Sequence, residues 1–355
     1  MNEASKSTAK VKLYGRARKD GNPLIQGEIA TFIWHGRNAP HLVSDLDEWE
    51  EGPRPLQRIE GNIWGISIKL PRNAYLEYSF YDPRTKQHIS DPLNPKSVSN
   101  GLGGRNHFFY MPEAAPTPLT QLRPDHARGR LSKHQVSADG MTVNGKRTIY
   151  LYQPPVAQPV PLVLVLDGFD YLRRVRITRI VDHLIAQKRI RPIALALAQN
   201  GGAQGRMVEY ACSEVTLAFL KNTVLPLASS HLNLVDIHQH PGAYGILGSS
   251  MGGLMAVYAA LRLPEIFGSA LSQSGAFELW ESETVAMQLV RFLPQPDIHL
   301  WMDVGRLEEL LECNRRMRRL LLRHGYDLRY HEFVGGHNTT CWRDDLGAGL
   351  EALFG

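Results

Sequence analysis

The stretch Ile246-Leu247-Gly248-Ser249-Ser250-Met251-Gly252 decides the fold of the carboxyl-terminal part of the chain. Its apolar start predicts a buried β-strand, and the pattern Gly-x-Ser-x-Gly predicts a strained strand-to-helix turn with Ser250 at its apex. The two glycines leave room that such a turn needs. The run 253–262 predicts the following helix, whose N-terminal end favours negative charge. Ser250 is therefore a candidate nucleophile, and the backbone N–H of Met251 is a candidate oxyanion donor.

A second apolar run supports this interpretation. Pro161–Leu166 is continuously apolar, as expected for a strand buried on both faces of a parallel sheet. It leads into Asp167-Gly168-Phe169-Asp170-Tyr171. In folds that carry a nucleophile elbow this loop supplies the second oxyanion donor, so the backbone N–H of Gly168 or Phe169 is the candidate. An ordinary turn at Asp167-Gly168 is the alternative.

Two further strands are predicted, and a general base is expected in the loop after the second of them. His299–Gly305 and Tyr330–Val334 both have strand character, and the second leads into Gly335-Gly336-His337. Ligands bind at the carboxyl edge of open α/β sheets, which is where the ends of these strands are expected. His337 is therefore the candidate base that takes the proton of Ser250 and returns it to the leaving alcohol.

The carboxylate that orients His337 has two candidates. Glu308 lies beyond the glycine that ends its strand, which is the better loop position, and Asp303 lies in the strand end. Both stay open, with Glu308 preferred. The alternative for Glu308 and Glu309 is a pair of acids in the first turn of a helix.

These motifs together resemble a known family. From about Ser137 onwards the chain is similar to the esterase D family of α/β-hydrolases, and within it to the enterochelin esterases, which open ferric catecholate siderophores. The resemblance implies an α/β-hydrolase domain in which Ser250 and His337 are catalytic and Glu308 is the acid. The enterochelin esterases usually have Asp directly after the histidine, whereas this chain has Asn338. The matching segments are Gly248–Gly253, Leu166–Gly168, Arg206 with Glu209 and Tyr210, Gly335–His337, and Cys341–Arg343.

Two domains joined by a linker are predicted. Residues 1–112 are expected to form a β-sandwich, 113–135 a linker, and 136–355 the catalytic doubly wound α/β domain. The sandwich prediction rests on short β-like runs, and their order is similar to immunoglobulin-like early-set domains. A structural lid or spacer is its expected role, and glucan binding is the alternative. The runs are Ile29–Trp34, Ile63–Ile68 and Tyr75–Tyr81.

Positive charge near the predicted oxyanion loop suggests an anionic substrate. Arg173 and Arg174 follow that loop, and Arg206 lies in a segment similar to the family. Together with Asp170 they are the candidate substrate-binding residues, and a ferric catecholate is the anion that the resemblance suggests. The alternative for Arg206 is a structural ion pair with Glu209 or Glu214.

Composition excludes several other classes. The net charge of +5 comes partly from an arginine-rich segment, 315–323, with helical apolar spacing, so a solvated helix face is expected and nucleic-acid binding is not. No apolar run approaches the roughly 20 residues that span a bilayer. Met1–Lys10 has no apolar core, and three scattered cysteines fit a reducing compartment, so a cytoplasmic protein is predicted. No metal or cofactor motif appears, and a homo-oligomer is left open.

The sequence thus predicts a serine ester hydrolase that needs neither metal nor cofactor and acts on a small-molecule ester. An aryl or feruloyl-type carboxylesterase with the same triad is the first alternative. A carbohydrate-binding or scaffold protein with an inactive hydrolase domain is the alternative from another class.

Overall fold

The chain divides into two compact units in this computed structural model, which describes residues 13–47, 49, 52–138, 140, 142–143 and 145–355. The first unit contains Met1–Pro116, Gly305–Glu309 and Val334–Cys341. The second contains Thr117–Val304, Leu310–Phe333 and Trp342–Gly355. The amino-terminal segment Met1–Lys10, which carried the prediction about a secretory signal, lies outside the described residues.

Two antiparallel sheets make up the β region of the first unit. One has the strand order β1-β2-β6-β5, and the other the order β4-β3-β7-β10-β9 with β8 paired to β7. Phe32 of the first sheet and Phe80 and Phe109 of the second are buried in one shared core. The three strands predicted from sequence are confirmed. The strands are β1 (Leu24–Gln26), β2 (Ile29–His35), β3 (His41–Ser44), β4 (Arg54–Pro55), β5 (Gln57–Glu60), β6 (Ile63–Lys69), β7 (Tyr75–Asp82), β8 (Gln87–Ile89), β9 (Ser97–Ser99) and β10 (Arg105–Tyr110).

An eight-stranded sheet forms the centre of the second unit, in the order β11-β12-β14-β13-β15-β16-β19-β20. The central strands β14, β13, β15, β16 and β19 pair in parallel, and β12 is antiparallel to both its neighbours. The strands are β11 (Arg130–Ser137), β12 (Lys146–Gln153), β13 (Leu162–Val165), β14 (Ala194–Ala198), β15 (Tyr244–Ser249), β16 (Phe267–Gln273), a hairpin of β17 (Glu278–Leu279) and β18 (Ser282–Glu283), β19 (His299–Gly305) and β20 (Asp327–Phe333).

Helices cover both faces of this sheet. Along β13, Leu162 and Leu164 pack in one core cluster, whereas Val163 and Val165 pack in another, as alternating side chains of a strand must. The labelled helices are α1 (Ile177–Ala186), α2 (Gly202–Tyr210), α3 (Glu214–Phe219), α4 (Leu225–His231), α5 (Met251–Arg262), α6 (Val285–Phe292), α7 (Leu311–Arg323) and α8 (Thr339–Phe354), and shorter helical segments lie at Pro118–Thr120, Gly168–Asp170, Tyr171–Val175 and Leu220–Val224.

The architecture is therefore α/β with an amino-terminal β-rich region. Because β13, β15, β16 and β19 are parallel, the loops after them leave the same edge of the sheet. The helix predicted in the arginine-rich segment is α7, and it buries Met317 and Leu321. In the described part of the chain, no helix is both long and apolar enough to cross a membrane.

The segment expected to be a linker ends in a strand. Residues 113–135 include the start of β11, which pairs with β12 along its whole length. Most of β11 is exposed, so its sequence lacks the apolar alternation by which a strand is recognised. Leu119, in the same segment, is buried in the core of the second unit.

Candidate active site

Ser250 lies in a strained turn between a strand and a helix. β15 ends at Ser249, α5 begins at Met251, and Ser250 between them has a φ of 57° and a ψ of −124°. A Cβ atom at Gly248 would lie 2.4 Å from the carbonyl oxygen of Gly252, so a larger residue at Gly248 would force the turn open. The predicted strained strand-to-helix turn and the steric reason for its first glycine are confirmed.

Backbone hydrogen bonds hold this turn against the neighbouring strand. The N–H of Ser250 donates to the carbonyl oxygen of Gln273, the last residue of β16, at 2.8 Å. The N–H of Ala276 donates back to the carbonyl oxygen of Ser250 at 3.2 Å. The position of the Ser250 backbone is therefore fixed from both sides.

The predicted oxyanion donors lie at the starts of two helical segments that follow adjacent strands. Met251 is the first residue of α5, and Gly168 is the first residue of the helical turn that follows β13. N–H groups at the start of a helix have no acceptor within that helix, so they are available to a ligand. A Cβ at Gly168 would lie 2.4 Å from the carbonyl carbon of Leu197, which requires glycine there. Phe169 is the next residue, and 45% of its surface is exposed.

Arg206 connects the loop after β13 to the nucleophile elbow. Its guanidinium contacts both carboxylate oxygens of Asp167 at 2.6–2.9 Å. Nη2 of Arg206, one of the atoms that contact Asp167, also donates to the carbonyl oxygen of Ser249 at 2.9 Å. The amide of Asn200 also donates to Asp167 at 2.5 Å, and Asp167 is 6% exposed. This buried ion pair holds the candidate oxyanion loop beside the residue that precedes Ser250.

The first unit contains the candidate base and the candidate acid. Nδ1 of His337 lies 3.2 Å from Oε2 of Glu308, whose side chain is fully buried. The N–H of Leu307 donates to the carbonyl oxygen of Gly335 at 3.0 Å, which ties together the loops after β19 and β20. A carboxylate at Nδ1 leaves Nε2 of His337 as the nitrogen for proton transfer and stabilises the imidazolium when it forms.

Comparison with known proteins gives the family. A model of the family Esterase, described as "Putative esterase", matches residues 140–353. The chain belongs to this esterase family. It is 26% identical to the iron(III) enterobactin esterase of Dickeya dadantii, over 94% of this chain and 90% of the relative. It is 23% identical to the iron(III) enterobactin esterase of Escherichia coli K12, over 85% of this chain and 82% of the relative. The protein is a carboxylic ester hydrolase similar to the enterobactin esterases.

Solved structures share its fold. The ferric enterobactin esterase of Salmonella typhimurium superposes with a TM-score of 0.78 at 22% identity, over 91% of this esterase and 93% of the other chain. A ferulic acid esterase superposes with a TM-score of 0.55 at 16% identity, over 64% of this esterase and 97% of the other chain. The enterobactin esterase therefore matches nearly the whole chain, whereas the ferulic acid esterase matches a smaller part of it.

In this esterase the two acid candidates have different partners. Oδ2 of Asp303 accepts hydrogen bonds from Nε1 of Trp301 at 2.9 Å and from Nε2 of Gln273 at 3.1 Å. Burial, and then the carboxylate of Asp345, raise the pKa of Asp303 well above its usual range. The structure thus pairs His337 with the preferred candidate and gives Asp303 a separate network. The helix alternative for the two glutamates is wrong, because α7 begins only at Leu311.

The candidate substrate-binding residues differ in their surroundings. Arg173 lines a cavity of about 470 Å³ together with Arg176, Arg179 and Lys133. In the same esterase, Nη1 of Arg174 lies 3.2 Å from Asp170, which is one helical turn away. Arg173 is thus the residue of the predicted set that faces a cationic cavity.

The structural partner of Arg206 differs from the two that sequence suggested. Glu209 pairs with the buried Arg147, and Glu214 pairs with Arg262 at 2.8 Å. The ion-pair partner of Arg206 is Asp167, and the sequence did not suggest this partner. Its signal was weak, since an Asp before a Gly is common in ordinary turns. Asp167 has a φ of 52°, a left-handed conformation that Asp tolerates better than most residues.

Proposed function

We propose that Ser250, His337 and Glu308 are the catalytic triad of a serine esterase that works through an acyl-serine intermediate. The observation that carries the proposal is the positive φ of Ser250 at the junction of β15 and α5. A serine held in a strained conformation with its backbone fixed on both sides is typical of a nucleophile. The hydrogen bond between His337 and Glu308 supports the other two assignments.

The reaction follows from these roles. Oγ of Ser250 attacks the ester carbonyl carbon while Nε2 of His337 takes the hydroxyl proton. The tetrahedral intermediate collapses, the bond to the alcohol oxygen breaks, and His337 returns its proton to that oxygen. Water then attacks the acyl-serine, with His337 again as base, and releases the carboxylic acid. Glu308 holds the ring tautomer and stabilises the imidazolium in both halves.

The oxyanion hole is proposed to consist of backbone N–H groups. Met251 supplies one, and Gly168 or Phe169 supplies the other. β13 and β15 are adjacent in the sheet, which supports the pairing of these two segments. Loss of a single oxyanion donor typically costs about 100-fold to 1000-fold in kcat.

The finer fold assignments belong to the same proposal. The parallel central strands with helices on both faces support an α/β-hydrolase domain. The two antiparallel sheets over one core support an immunoglobulin-like sandwich for the β region. The domain limits of 1–112 and 136–355 remain predictions.

For the substrate we favour an ester carried by an anionic ferric catecholate. The relatives that match most of the chain are named as iron(III) enterobactin esterases. Several cations, Arg173, Arg174 and Arg206, lie in or beside the loop after β13, and positive potential attracts such an anion.

A neutral aryl or feruloyl ester is the second candidate. It is favoured by the structural likeness of a ferulic acid esterase, although that likeness covers 64% of the chain. The non-enzymatic alternative is set aside, because family membership makes the protein an ester hydrolase.

Salt dependence separates the two substrate classes. We expect kcat/KM for ferric enterobactin to fall steeply between about 0.05 and 0.5 M NaCl, because screening weakens attraction of a multiply charged ligand. Activity towards p-nitrophenyl butyrate and methyl ferulate, which are neutral, is expected to change little. Arg173→Gln and Arg174→Gln should each reduce the salt slope for the anionic substrate.

Arg319→Gln is the matched control, because it removes the same charge from the exposed side of α7. Its salt slope should equal that of the wild type. If ferric enterobactin is not cleaved while the neutral esters are, or if all three substrates show the same flat response, the siderophore assignment fails and the general carboxylesterase assignment replaces it.

A cytoplasmic location and a homo-oligomeric state stay predictions. Cys212, Cys313 and Cys341 form no disulfide bond with one another, which supports a reducing compartment.

A further inference from the structure

Asn338, the residue after the candidate catalytic histidine, uses both ends of its side-chain amide. Its Oδ1 accepts the N–H of Cys341 at 3.0 Å, which caps the N-terminus of α8. Its Nδ2 donates to Oδ2 of Asp45 at 3.2 Å. Asn338 is 9% exposed, so both bonds are screened little by water. An aspartate could replace the first interaction but has no N–H to make the second.

Asp45 directly follows β3, and hydrogen bonds to β7 of the β region hold it in place. The N–H of Asp45 donates to the carbonyl oxygen of Glu77 at 3.2 Å, and Oδ2 of Asp45 accepts the N–H of Glu77 at 2.8 Å. Asp45 is 6% exposed. Its carboxylate is therefore a fixed acceptor and can fix what it binds.

The loop that carries His337 also packs closely on the β region elsewhere. The N–H of Tyr75 donates to the carbonyl oxygen of Val334 at 3.0 Å, and Val334 packs against the shared core of the two sheets. A Cβ at Gly336 would lie 2.4 Å from the Cβ of Asp45, so the backbone next to His337 touches the Asp45 side chain. Position 336 accepts only glycine for this reason.

The carboxyl groups near Asn338 favour a neutral side chain at this position. Burial, then the carboxylates of Glu77 and, more weakly, Glu308, raise the pKa of Asp45 well above its usual range. An aspartate at position 338 would place one more carboxylate within hydrogen-bond distance of Asp45. Because the pKa of Asp45 is raised, the two carboxyl groups would share one proton, and the buried pair would still carry a negative charge beside Glu77 and Glu308. The neutral amide avoids this conflict.

We propose that Asp45 is a positioning residue for catalysis, which by accepting a hydrogen bond from Asn338 fixes the loop that presents His337. The proposal rests on the proposed function, because it assigns a purpose to the position of His337. It also gives the β region a part in catalysis, beyond the lid or spacer expected from sequence.

The test is a reciprocal exchange of the two side chains. Kinetics with p-nitrophenyl butyrate are compared for the wild type, N338D, D45N and the double variant D45N/N338D. Asn338→Asp should lower kcat about 10-fold to 100-fold with KM changed less than about twofold, because it misplaces His337 without touching the substrate. The double variant restores one donor and one acceptor, so its kcat should recover at least about fivefold over N338D.

Asp47→Asn is the matched control, because Asp47 lies in the same turn but bonds Ser44 and Arg54. Its kcat should stay within about twofold of the wild type, as expected for a partly exposed ion pair. Far-UV circular dichroism and thermal unfolding show which variants are folded. Folded D45N/N338D with a kcat no better than that of N338D overturns the proposal.

Two further outcomes are decisive. If N338D does not fold, Asp45→Ala is compared with Asp47→Ala: a loss in kcat of at least about tenfold in the first alone supports positioning, and equal losses overturn it. If Ser250→Ala hydrolyses the ester as fast as the wild type, the proposed function itself fails. An inactive Ser250→Ala combined with no recovery in the double variant overturns the positioning role alone.

Discussion

At the scale of single residues, two carboxylates near the end of β19 have different hydrogen-bond partners. Asp303 is buried in the strand and accepts two N–H groups, from Trp301 and Gln273. Glu308, beyond the strand end, faces Nδ1 of His337. In the proposed mechanism only Glu308 has a partner whose charge changes during ester hydrolysis, so the two substitutions to amides should have different effects.

Glu308→Gln is expected to lower kcat by about 1000-fold or more, since it leaves the imidazolium without its anion and favours the wrong tautomer. Asp303→Asn should leave kcat within about threefold, because the amide oxygen can still accept hydrogen bonds. Steady-state hydrolysis of p-nitrophenyl butyrate measures both. The reverse order of effects would make Asp303 the triad acid.

Asp303→Asn should instead show itself in stability. The pKa of Asp303 is raised in the folded state, so between its ordinary value of 3.8 and the raised value the folded protein holds a proton that the unfolded chain releases. The free energy of unfolding of the wild type therefore falls as pH rises through this window. Asp303→Asn lacks this titrating group. Urea titrations should therefore show that its free energy of unfolding falls less between pH 5 and pH 8 than that of the wild type.

At the scale of elements, Arg206 joins the loop after β13 to the end of β15. Arg206 on α2 binds both oxygens of Asp167 and the carbonyl oxygen of Ser249. A lysine has one nitrogen and cannot span these three acceptors. The sequence also suggested that Arg206 binds an anionic substrate. A comparison of a neutral and an anionic ester distinguishes this role from a structural one.

Arg206→Lys should lower kcat about tenfold for p-nitrophenyl butyrate and for ferric enterobactin alike, since a displaced oxyanion loop affects every ester. Arg262→Lys, in the exposed pair with Glu214, is the control and should change neither rate. An increase in KM for the anionic substrate alone would show that Arg206 binds substrate and is not a brace.

Sequence predicted the elements that depend on local pattern. The strand–turn–helix around Ser250 could be predicted because the glycine spacing and the apolar runs carry its geometry within about 15 residues. β11 could not, because an edge strand with an exposed sequence has no apolar alternation. The Arg206–Asp167 pair was also missed, since a partly buried ion pair between a helix and a distant loop leaves no periodic signal.

At the scale of the whole molecule, the acid and base loops group with the β region. Gly305–Glu309 and Val334–Cys341 belong to the first compact unit, although the chain around them belongs to the second. The hydrogen bond from Asn338 to Asp45 joins residues 293 positions apart in sequence. No local pattern can predict such a contact, so the sequence left open whether the β region touches the active site.

The central claim, that the protein forms an acyl-enzyme at Ser250, has one direct measurement. The wild type, Ser250→Ala and Ser249→Ala are incubated with a fluorophosphonate probe, and the adduct is located by peptide mass spectrometry alongside ester hydrolysis. We predict a single adduct on Ser250 in the wild type and in Ser249→Ala. Ser250→Ala should give no adduct and a loss of about 10⁴-fold in kcat. An adduct on another residue, or more than a tenth of the wild-type rate in folded Ser250→Ala, would contradict the account.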